Sequence, residues 1–292
     1  MGFDNAYESL LDVDDDLRWA FGTGFADPLA GVDASVPDGI DGDQLAAYCL
    51  MLGDDALVMS HRLQEWLTQA PELEEETALA NVGLDLLGQA RLLYTRAGKA
   101  DGTDRGEDHY AYWRGVEQFS NVRLVEPLDA DFGALVVRLL LFSTWRLALL
   151  SVLRDSRDPV LAALAARSVS EVSYHRDYAA QWVVRLADGT EYSRQRVQAG
   201  LEGVAPFTAE LFEATQLERE LAGAGIGVDP CTVQAEVDAV LTQVLGAGGL
   251  GWIPCVASAP RLPGHGAGHT PALAGLLEEM QSVARAHPGA TW

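Results

Sequence analysis

Apolar residues recur every three or four positions along most of this 292-residue chain, and this spacing limits its fold more than any other feature. The first clear example begins at Asp43. Its apolar positions are Leu45, Tyr48, Leu52, Ala56, Met59, Leu63 and Trp66. Such spacing places all of them on one face of an α-helix, whereas no stretch shows the sustained alternation of a β-strand. The sequence therefore predicts an all-α protein.

Four long segments share this pattern and form two pairs. The predicted helices run from Asp43 to just before Pro71, from Leu73 to about Ala97, from Asp131 to Arg154 and from Pro159 to about Ala187. Residues 98–130 form a long connection between the pairs. Two helical hairpins joined by one long crossover are typical of the ferritin-like bundle. Additional C-terminal helices are predicted at 191–202, 206–222, 231–246 and 271–286.

The first 42 residues differ from the rest, because they are acidic and are interrupted by Gly and Pro. We interpret 1–42 as an N-terminal extension and 43–292 as one domain. The N-terminus has neither the basic region nor the apolar stretch of a signal peptide. Cys49, Cys231 and Cys255 are scattered and never form a C-x-x-C pair. This pattern indicates reduced thiols and a cytoplasmic location, not a disulfide framework or a zinc site.

The chain carries a formal net charge of −23, and Lys99 is its one lysine. Such a surface repels nucleic acids and anionic membranes, so we expect neither as a partner. The most apolar window, 134–153, contains Arg138 and Arg146, each of which costs about 2.5–3.5 kcal/mol at a bilayer centre. It therefore predicts a core helix. Acidic excess with one lysine also indicates a salt-accumulating halophile, with a mesophile of GC-rich genome as the alternative.

The motif EVSYH at 171–175 raises the question of a metal centre. Ferritin-like di-iron proteins take a carboxylate from each of two helices and Glu-x-x-His from each of the other two. Glu171 and His175 are four residues apart, which still places them on one helix face. The position three before His175 is Val172, which cannot bind iron. We interpret His175 as a hydrogen-bonded core histidine and Glu171 as part of a solvated face.

The other two ligand-bearing positions are also incomplete. From Phe132 to Arg154 the third helix contains no Asp or Glu, so one bridging carboxylate is missing. The second helix comes nearest to the motif at Asp85, but Gly88 stands where an imidazole is required. The sequence therefore predicts a vestigial metal site at Asp85, Gly88, Val172 and His175.

Asp85 shares a spacing of four with Thr77, Asn81 and Gln89, which indicates either a wet helix face or a buried polar seam. In a buried seam Asp85 needs a partner, because an unpaired buried carboxylate is costly. Arg138 or Arg146 on the third helix could supply the positive charge that iron would have supplied. The hypothesis is an ion-pair network that fills the vestigial site.

Two further histidine pairs have a spacing of four. His265 and His269 lie in a glycine-rich segment without a third ligand nearby, and we interpret them as loop surface. His61 and Glu65 are predicted to pair on the surface of the first helix. Neither pair indicates a metal site.

Several stretches, in order along 43–292, resemble the PaaC family, the C subunits of phenylacetyl-CoA epoxidases. They are LGDDALVMSHRLQEWLTQAPELEEETALANVGLDLLGQARLLY at 52–94, EQFSNVRLVEP at 117–127, SRDP at 156–159, EVSYH at 171–175, FTAELF at 207–212, GVDP at 227–230, and HTPALAGLLEEMQ with the terminal Trp292. The resemblance implies a ferritin-like subunit that is structural and not catalytic. It implies pairing with a homologous A subunit, which carries the di-iron centre and epoxidises the aromatic ring, in a system that also has B, D and reductase subunits.

The resemblance gives this chain no catalytic residue, no metal and no cofactor of its own. Two alternatives remain: an active di-iron oxygenase or ferritin-type oxidase with unusual ligands, and a stand-alone helical protein that binds acyl-CoA. A structural subunit needs a large contact face. The first and second helices are candidates for that face, the second because it carries Gly83, Gly88, Ala78, Ala80 and Ala90, although these small residues could equally pack inside the subunit. The stretch QFSNVRLVEP is a further candidate.

Overall fold

The computed structural model describes Leu29, residues 31–252 and residues 268–290. These residues form nine α-helices and five short 3₁₀ turns, with no β-strand among them. The helices are α1 (Gly42–Gln64), α2 (Leu73–Ala100), α3 (Glu107–Tyr112), α4 (Phe132–Leu153), α5 (Pro159–Ala187), α6 (Glu191–Val204), α7 (Gln216–Gly223), α8 (Gln234–Ala247) and α9 (Pro271–Ala286). The 3₁₀ turns are Val116–Gln118, Arg123–Val125, Ala205–Phe207, Ala209–Phe212 and Pro230–Val233. The predicted all-α, ferritin-like bundle is confirmed.

Helices α1 and α2 form one hairpin, α4 and α5 form the other, and α2 packs against α5. Aspartates cap three of these four helices at their N-termini. Asp41 accepts hydrogen bonds from the first turn of α1, Asp131 from that of α4, and Asp158 from that of α5. Such caps satisfy backbone N–H groups that have no partner within the helix. The long helices therefore begin within a residue or two of the predicted positions, and α2 extends to Ala100.

Helix α4 forms the centre of the core. Among the described helices it has the length and apolarity of a membrane span, but 89% of that apolar window is buried inside the protein. Both of its arginines, Arg138 and Arg146, are buried as well. Ser143 and Thr144 donate their hydroxyls to the carbonyls of Leu139 and Leu140 of the same helix. Burial in the bundle thus accounts for the apolarity of α4, as predicted.

The crossover connection between α2 and α4 is fastened to α1 by a buried carboxylate. Asp54 accepts hydrogen bonds from the Arg114 guanidinium, from the Tyr94 hydroxyl at 2.6 Å and from the Ser120 backbone N–H at 2.8 Å. The Arg114 guanidinium also lies 4.2 Å from the centre of the Phe119 ring. The connection is therefore a fixed part of the core.

Helix α9 lies across this connection. Near its C-terminus Gln281 donates to the carbonyls of Ala111 and Arg114, at 2.8 and 3.0 Å. Arg285 donates to the carbonyls of Tyr112 and Arg114, at 3.1 and 2.9 Å. The buried side chains of α9 are Leu273, Leu276, Leu277 and Gln281. The predicted helix at 271–286 is confirmed.

The prediction of a single helix at 206–222 is wrong, because tertiary contacts interrupt it. The two 3₁₀ turns there precede α7, which begins only after the Thr215 cap. Glu210 accepts from Arg123 Nε at 2.6 Å and from the Leu124 N–H at 3.2 Å. Trp145 of α4 donates its indole N–H to the Leu211 carbonyl at 2.7 Å. These bonds fix backbone that a regular helix would place elsewhere.

The described residues from Val32 onward belong to one compact unit. Within it the stretch before α1 already contacts the helices, since Arg96 donates to the carbonyls of Ala34 and Ser35 and pairs with Asp158 of α5. Residues 1–28 and 30 of the proposed extension lie outside the described residues, as does Cys255. The boundary at residue 42 stays a prediction.

Candidate functional site

A polar cluster lies where the two hairpins meet, at the position expected for a metal pair. It consists of Asp85 and Gln89 on α2, Arg146 on α4, and Glu171 and His175 on α5. Arg146 Nε donates to Gln89 Oε1 at 2.9 Å, and Gln89 Nε2 donates to Glu171 Oε2 at 3.2 Å. His175 Nε2 lies 3.0 Å from Asp85 Oδ2. We call these five residues the polar cluster.

Arg146 gives the cluster a buried positive charge, with only 2% of the residue exposed. It also donates through Nη1 to the Leu52 carbonyl of α1 at 3.3 Å. Burial lowers the pKa of the Arg146 guanidinium to about 10, although Asp55 and Tyr48 nearby act in the opposite direction. The remaining guanidinium nitrogen, Nη2, is buried without a hydrogen-bond partner among the described atoms.

The His175 side chain is 1% exposed and that of Asp85 is 38% exposed, so their pair joins the core to the surface. His175 is therefore a buried histidine with a hydrogen-bond partner. The stripe on α2 changes along its length: Thr77 and Asn81 are exposed, whereas Gln89 is buried. The wet face and the buried seam are both present, at opposite ends of the same stripe.

The predicted arginine partners of Asp85 are wrong in both cases. Arg138 pairs with Asp129 of the crossover connection and donates to the Pro127 carbonyl at 2.5 Å. Arg146 reaches Gln89, one turn further along α2. Spacing within one helix predicts which side chains share a face, but it does not predict which residue of a neighbouring helix they meet.

The donors of the cluster do not fit a pair of iron ions. Helix α4 offers no carboxylate anywhere in Phe132–Leu153 and presents the Arg146 cation instead. Val172 is fully buried and apolar, and Gly88 has no side chain. A di-iron site requires four carboxylates and two imidazoles at this place. The polar cluster supplies two carboxylates and one imidazole, and one carboxylate is already paired with that imidazole.

Among the described residues, one group of acidic side chains lies close enough together to share a cation: Glu72, Glu74 and Glu75 at the start of α2. Glu72 and Glu74 are exposed, and exposed acidic groups of this kind are common without a metal. They also suit the positive end of the helix dipole. We assign no metal to them.

The interpretation of His269 as loop surface is wrong. Its Nδ1 lies 2.7 Å from Glu126 Oε1, and its Nε2 lies 3.0 Å from the Phe119 carbonyl. Glu126 is fully buried, and it also accepts from Asn121 and from the backbone N–H of Thr270. The hydrogen bond to Glu126 raises the pKa of His269. His265 lies outside the described residues.

The predicted pair of His61 and Glu65 is also wrong. Glu65 Oε1 accepts from Arg62 Nη1 at 2.6 Å. Arg62 is buried, and it also donates to the carbonyls of Glu126 and Ala272. Burial lowers the pKa of His61. Arg62 therefore links α1 to the crossover connection and to α9.

Sequence reasoning missed a group of buried carboxylates that hold the bundle together. They are Asp54, Asp55, Glu126 and Asp158, and each is fully buried. The pair Asp54-Asp55 is a signal that the sequence does contain. Two aspartates inside an apolar helical stretch are buried with the helix face around them, and buried carboxylates need hydrogen-bond donors. Asp55 accepts from the Val122 N–H at 2.8 Å.

Parts of two proposed contact surfaces pack inside the subunit. Ser60 of α1 donates its hydroxyl to the Gly83 carbonyl at 2.6 Å, so Gly83 belongs to the contact between α1 and α2. Most of the stretch QFSNVRLVEP is buried, including Asn121, Leu124 and Glu126. Gly88 differs, since a Cβ placed there would have open space around it.

The comparisons with known proteins cover nearly the whole chain. A family model described as "Phenylacetic acid catabolic protein" (PaaA_PaaC) matches residues 35–292. The chain is also 41% identical over 250 residues to the protein of Escherichia coli strain K12 that is named as the C subunit of 1,2-phenylacetyl-CoA epoxidase. That match covers 86% of this chain and 100% of the relative.

Proposed function

The chain belongs to the PaaA_PaaC family of phenylacetic acid catabolic proteins, and from this premise we propose that it is the structural, non-catalytic subunit of a phenylacetyl-CoA epoxidase. Its role is to bind and stabilise a homologous A subunit, which carries the di-iron centre. It takes no cofactor itself. It works in the cytoplasm, in a complex that also includes B, D and reductase subunits.

One observation supports this proposal above all others: the third long helix contributes the Arg146 guanidinium to the polar cluster and no carboxylate. A fixed cation repels a second cation strongly in a medium of low dielectric constant. The α4 helix contributes no acidic residue to offset that repulsion. The polar cluster therefore holds the four helices together through hydrogen bonds and offers no place for iron.

The experiment that tests the proposal measures iron per chain. The purified chain is exposed anaerobically to ferrous iron, desalted and analysed, both alone and after co-expression with the A subunit from the same organism. We expect iron near zero for the chain alone and stoichiometric iron in the complex. Iron bound stoichiometrically by the chain alone would contradict the proposal and would favour an active oxygenase with unusual ligands.

A variant of this chain identifies which subunit holds the iron in the complex. Glu171→Gln removes a carboxylate of the polar cluster, and its amide oxygen can still accept from one of the two donors, Gln89 Nε2 or Arg167 Nε. We expect the iron content of the complex to stay unchanged. A loss of iron in this variant would place a ligand on this chain. A wild-type chain that stays monomeric beside the A subunit and binds CoA esters unaided would instead favour the acyl-CoA-binding alternative.

A further inference from the structure

Both ring nitrogens of His269 face oxygen atoms that accept hydrogen bonds and donate none. Nδ1 lies 2.7 Å from the carboxylate oxygen Oε1 of Glu126, and Nε2 lies 3.0 Å from the backbone carbonyl oxygen of Phe119. A neutral imidazole has one N–H, whereas the imidazolium ion has two. The ring of His269 therefore makes both hydrogen bonds only while each of its nitrogens carries a proton.

The surroundings of Glu126 suit an ionised carboxylate. Besides His269, its oxygens accept from the Asn121 side chain at 3.0 Å and from the backbone N–H of Thr270 at 2.6 Å. The Glu126 side chain is fully buried, and that of His269 is 9% exposed. Hydrogen bonds of this kind are stronger when both partners are charged. Histidine is the member of such a pair that changes its charge near neutral pH.

The charged groups around the His269 ring come from three elements besides α9. They are Asp54 and Arg62 of α1, Arg114 and Glu126 of the crossover connection, and Glu117 of the 3₁₀ turn Val116–Gln118. Asp54 pairs with Arg114, and Arg62 donates to the backbone carbonyl of Glu126 at 2.8 Å. The Glu126 carboxylate is the group that hydrogen-bonds the ring, and it holds the pKa of His269 above the ordinary value.

His269 acts on one end of α9. The ring and the backbone of Thr270 bind the crossover connection just before the helix begins at Pro271. At the other end, Gln281 and Arg285 bind carbonyls of the same connection. The contacts of Gln281 and Arg285 involve no group that titrates near neutral pH. Between the two ends α9 buries Leu273, Leu276 and Leu277.

We propose that His269 is a proton-dependent latch, which holds the start of α9 on the crossover connection while the ring is doubly protonated and releases that end when the ring loses a proton. A neutral ring keeps one N–H and one bare nitrogen. The bare nitrogen then faces a lone pair of Glu126 or of the Phe119 carbonyl, so one of the two contacts is lost. The latch is a property of the chain itself and does not depend on the proposed function.

Solvent can reach the latch. His269 lines an open cleft together with Val116, Glu117, Gly268, Thr270, Pro271 and Ala274. The ring can therefore exchange its proton with water through the cleft without unfolding of the bundle. Because only one end of α9 depends on that proton, the opening should be local and should leave the end near Gln281 attached.

The test measures amide hydrogen exchange along α9 in the full-length chain, from about pH 6 to about pH 9. Exchange rates are expressed as protection factors, so that the intrinsic effect of pH on exchange cancels. The variant is His269→Gln. The matched control is His287→Gln, because His287 is exposed at the C-terminal cap of the same helix. Chemical denaturation over the same pH range separates local opening from global unfolding.

We expect the protection of residues 274–277 in the wild-type chain to fall about tenfold or more as the pH rises through the raised pKa of His269, because a hydrogen bond to a charged group is lost. Protection of residues 281–284 should stay constant over that range. His269→Gln should show low protection of residues 274–277 at every pH. His287→Gln should reproduce the wild-type profile.

The wild-type profile alone can overturn the inference, so the test does not depend on a variant that folds. Constant protection of residues 274–277 across the pH range would remove the latch. An equal fall at both ends of α9 would show that the whole helix opens and that His269 does not act locally. A pH profile in His269→Gln that matches wild type would assign the titration to another group.

Discussion

Arg146 and Gln89, 57 residues apart in the chain, are joined by a hydrogen bond of 2.9 Å from Nε to Oε1 at the centre of the four-helix core. Gln89 in turn donates a hydrogen bond through Nε2 to Glu171 on α5, the fourth long helix. A glutamine is suited to this place because its amide both accepts from the guanidinium and donates to the carboxylate. One neutral side chain thus separates and connects two opposite charges.

Arg146→Met should lower the free energy of unfolding by about 2 to 4 kcal/mol, because the substitution leaves Gln89 Oε1 without its donor and removes a cation that interacts with buried Asp55. Urea unfolding followed by circular dichroism measures the change. Arg167→Met is the control, since Arg167 is 55% exposed and pairs with Glu171 at the surface. It should cost less than about 1 kcal/mol. Equal stability of the two variants would contradict the structural role of Arg146.

Asp54→Asn should lower the free energy of unfolding by about 3 to 5 kcal/mol, because it leaves the Arg114 guanidinium buried without its counter-charge. The carboxylate of Asp54 accepts hydrogen bonds from Tyr94, Arg114 and Ser120. The asparagine amide has one oxygen that accepts and an NH2 group that donates, so it cannot accept all three in the same way. Asp177→Asn, at an exposed pair with neighbouring Arg176, should change stability by less than about 0.5 kcal/mol. Chemical denaturation of both proteins gives the comparison. A difference below about 1 kcal/mol would show that Asp54 is not the anchor of the crossover connection.

The contact between His269 and Glu126 should stabilise the protein more at low pH than at high pH. The pKa of His269 in the folded state is raised above the ordinary value of 6.5 by the hydrogen bond to Glu126. The stabilisation is therefore complete below about pH 6.5 and is lost as the pH rises through the raised pKa. Asp54 nearby acts in the same direction, and burial opposes it.

His269→Gln measures this effect. At about pH 5.5 to 6 the substitution should cost about 1 to 2 kcal/mol, since a hydrogen bond to a charged group is lost. Above the raised pKa the difference from wild type should shrink toward zero. Thermal unfolding of both proteins is measured from about pH 5.5 to a pH above the raised pKa of His269. An NMR titration of the His269 ring gives that pKa directly. A cost that does not vary with pH would mean that the imidazole is neutral throughout.

Two glycines of α2 should respond in opposite ways to replacement by alanine. A Cβ at Gly88 would meet nothing within 4 Å, whereas a Cβ at Gly98 would clash with the Arg105 carbonyl oxygen. Gly88→Ala should therefore stabilise the protein by about 0.5 to 1 kcal/mol, the ordinary gain within a helix. Gly98→Ala should destabilise it by more than about 2 kcal/mol, because backbone must move. Melting temperatures that shift in the same direction would contradict this difference in packing.

The long helices could be predicted from the sequence because their signals are local. Three-and-four spacing indicates the faces of α1 and α2, and Asp158 followed by Pro159 marks the start of α5 through capping and a fixed backbone angle. The lack of an acidic residue in α4 and the glycine at position 88 are equally visible without a structure, and the vestigial metal site inferred from them stays a prediction. The sequence does not show which residues Asp85, Arg138 and Arg146 contact.

The errors share one physical cause, which is contact between residues far apart in the chain. Glu210 belongs to a helical pattern by its neighbours, but its bond to Arg123 holds it in a 3₁₀ turn. His269 lies in a glycine-rich stretch typical of surface loops, but buried Glu126 needs the donor that its ring supplies. The partner of Asp85 likewise depends on how α2 and α5 are aligned, and spacing within one helix does not contain that information.

The hydrogen bonds that Gln281 and Arg285 of α9 make to the crossover connection reach its main chain. Each donor that Gln281 and Arg285 direct to the connection ends on a main-chain carbonyl, at Ala111, Tyr112 or Arg114. Those oxygens are present whatever residues occupy the positions. These hydrogen bonds therefore depend on the length and course of the connection beneath α9, whereas the choice of side chain at Ala111 is limited by its own burial in the core.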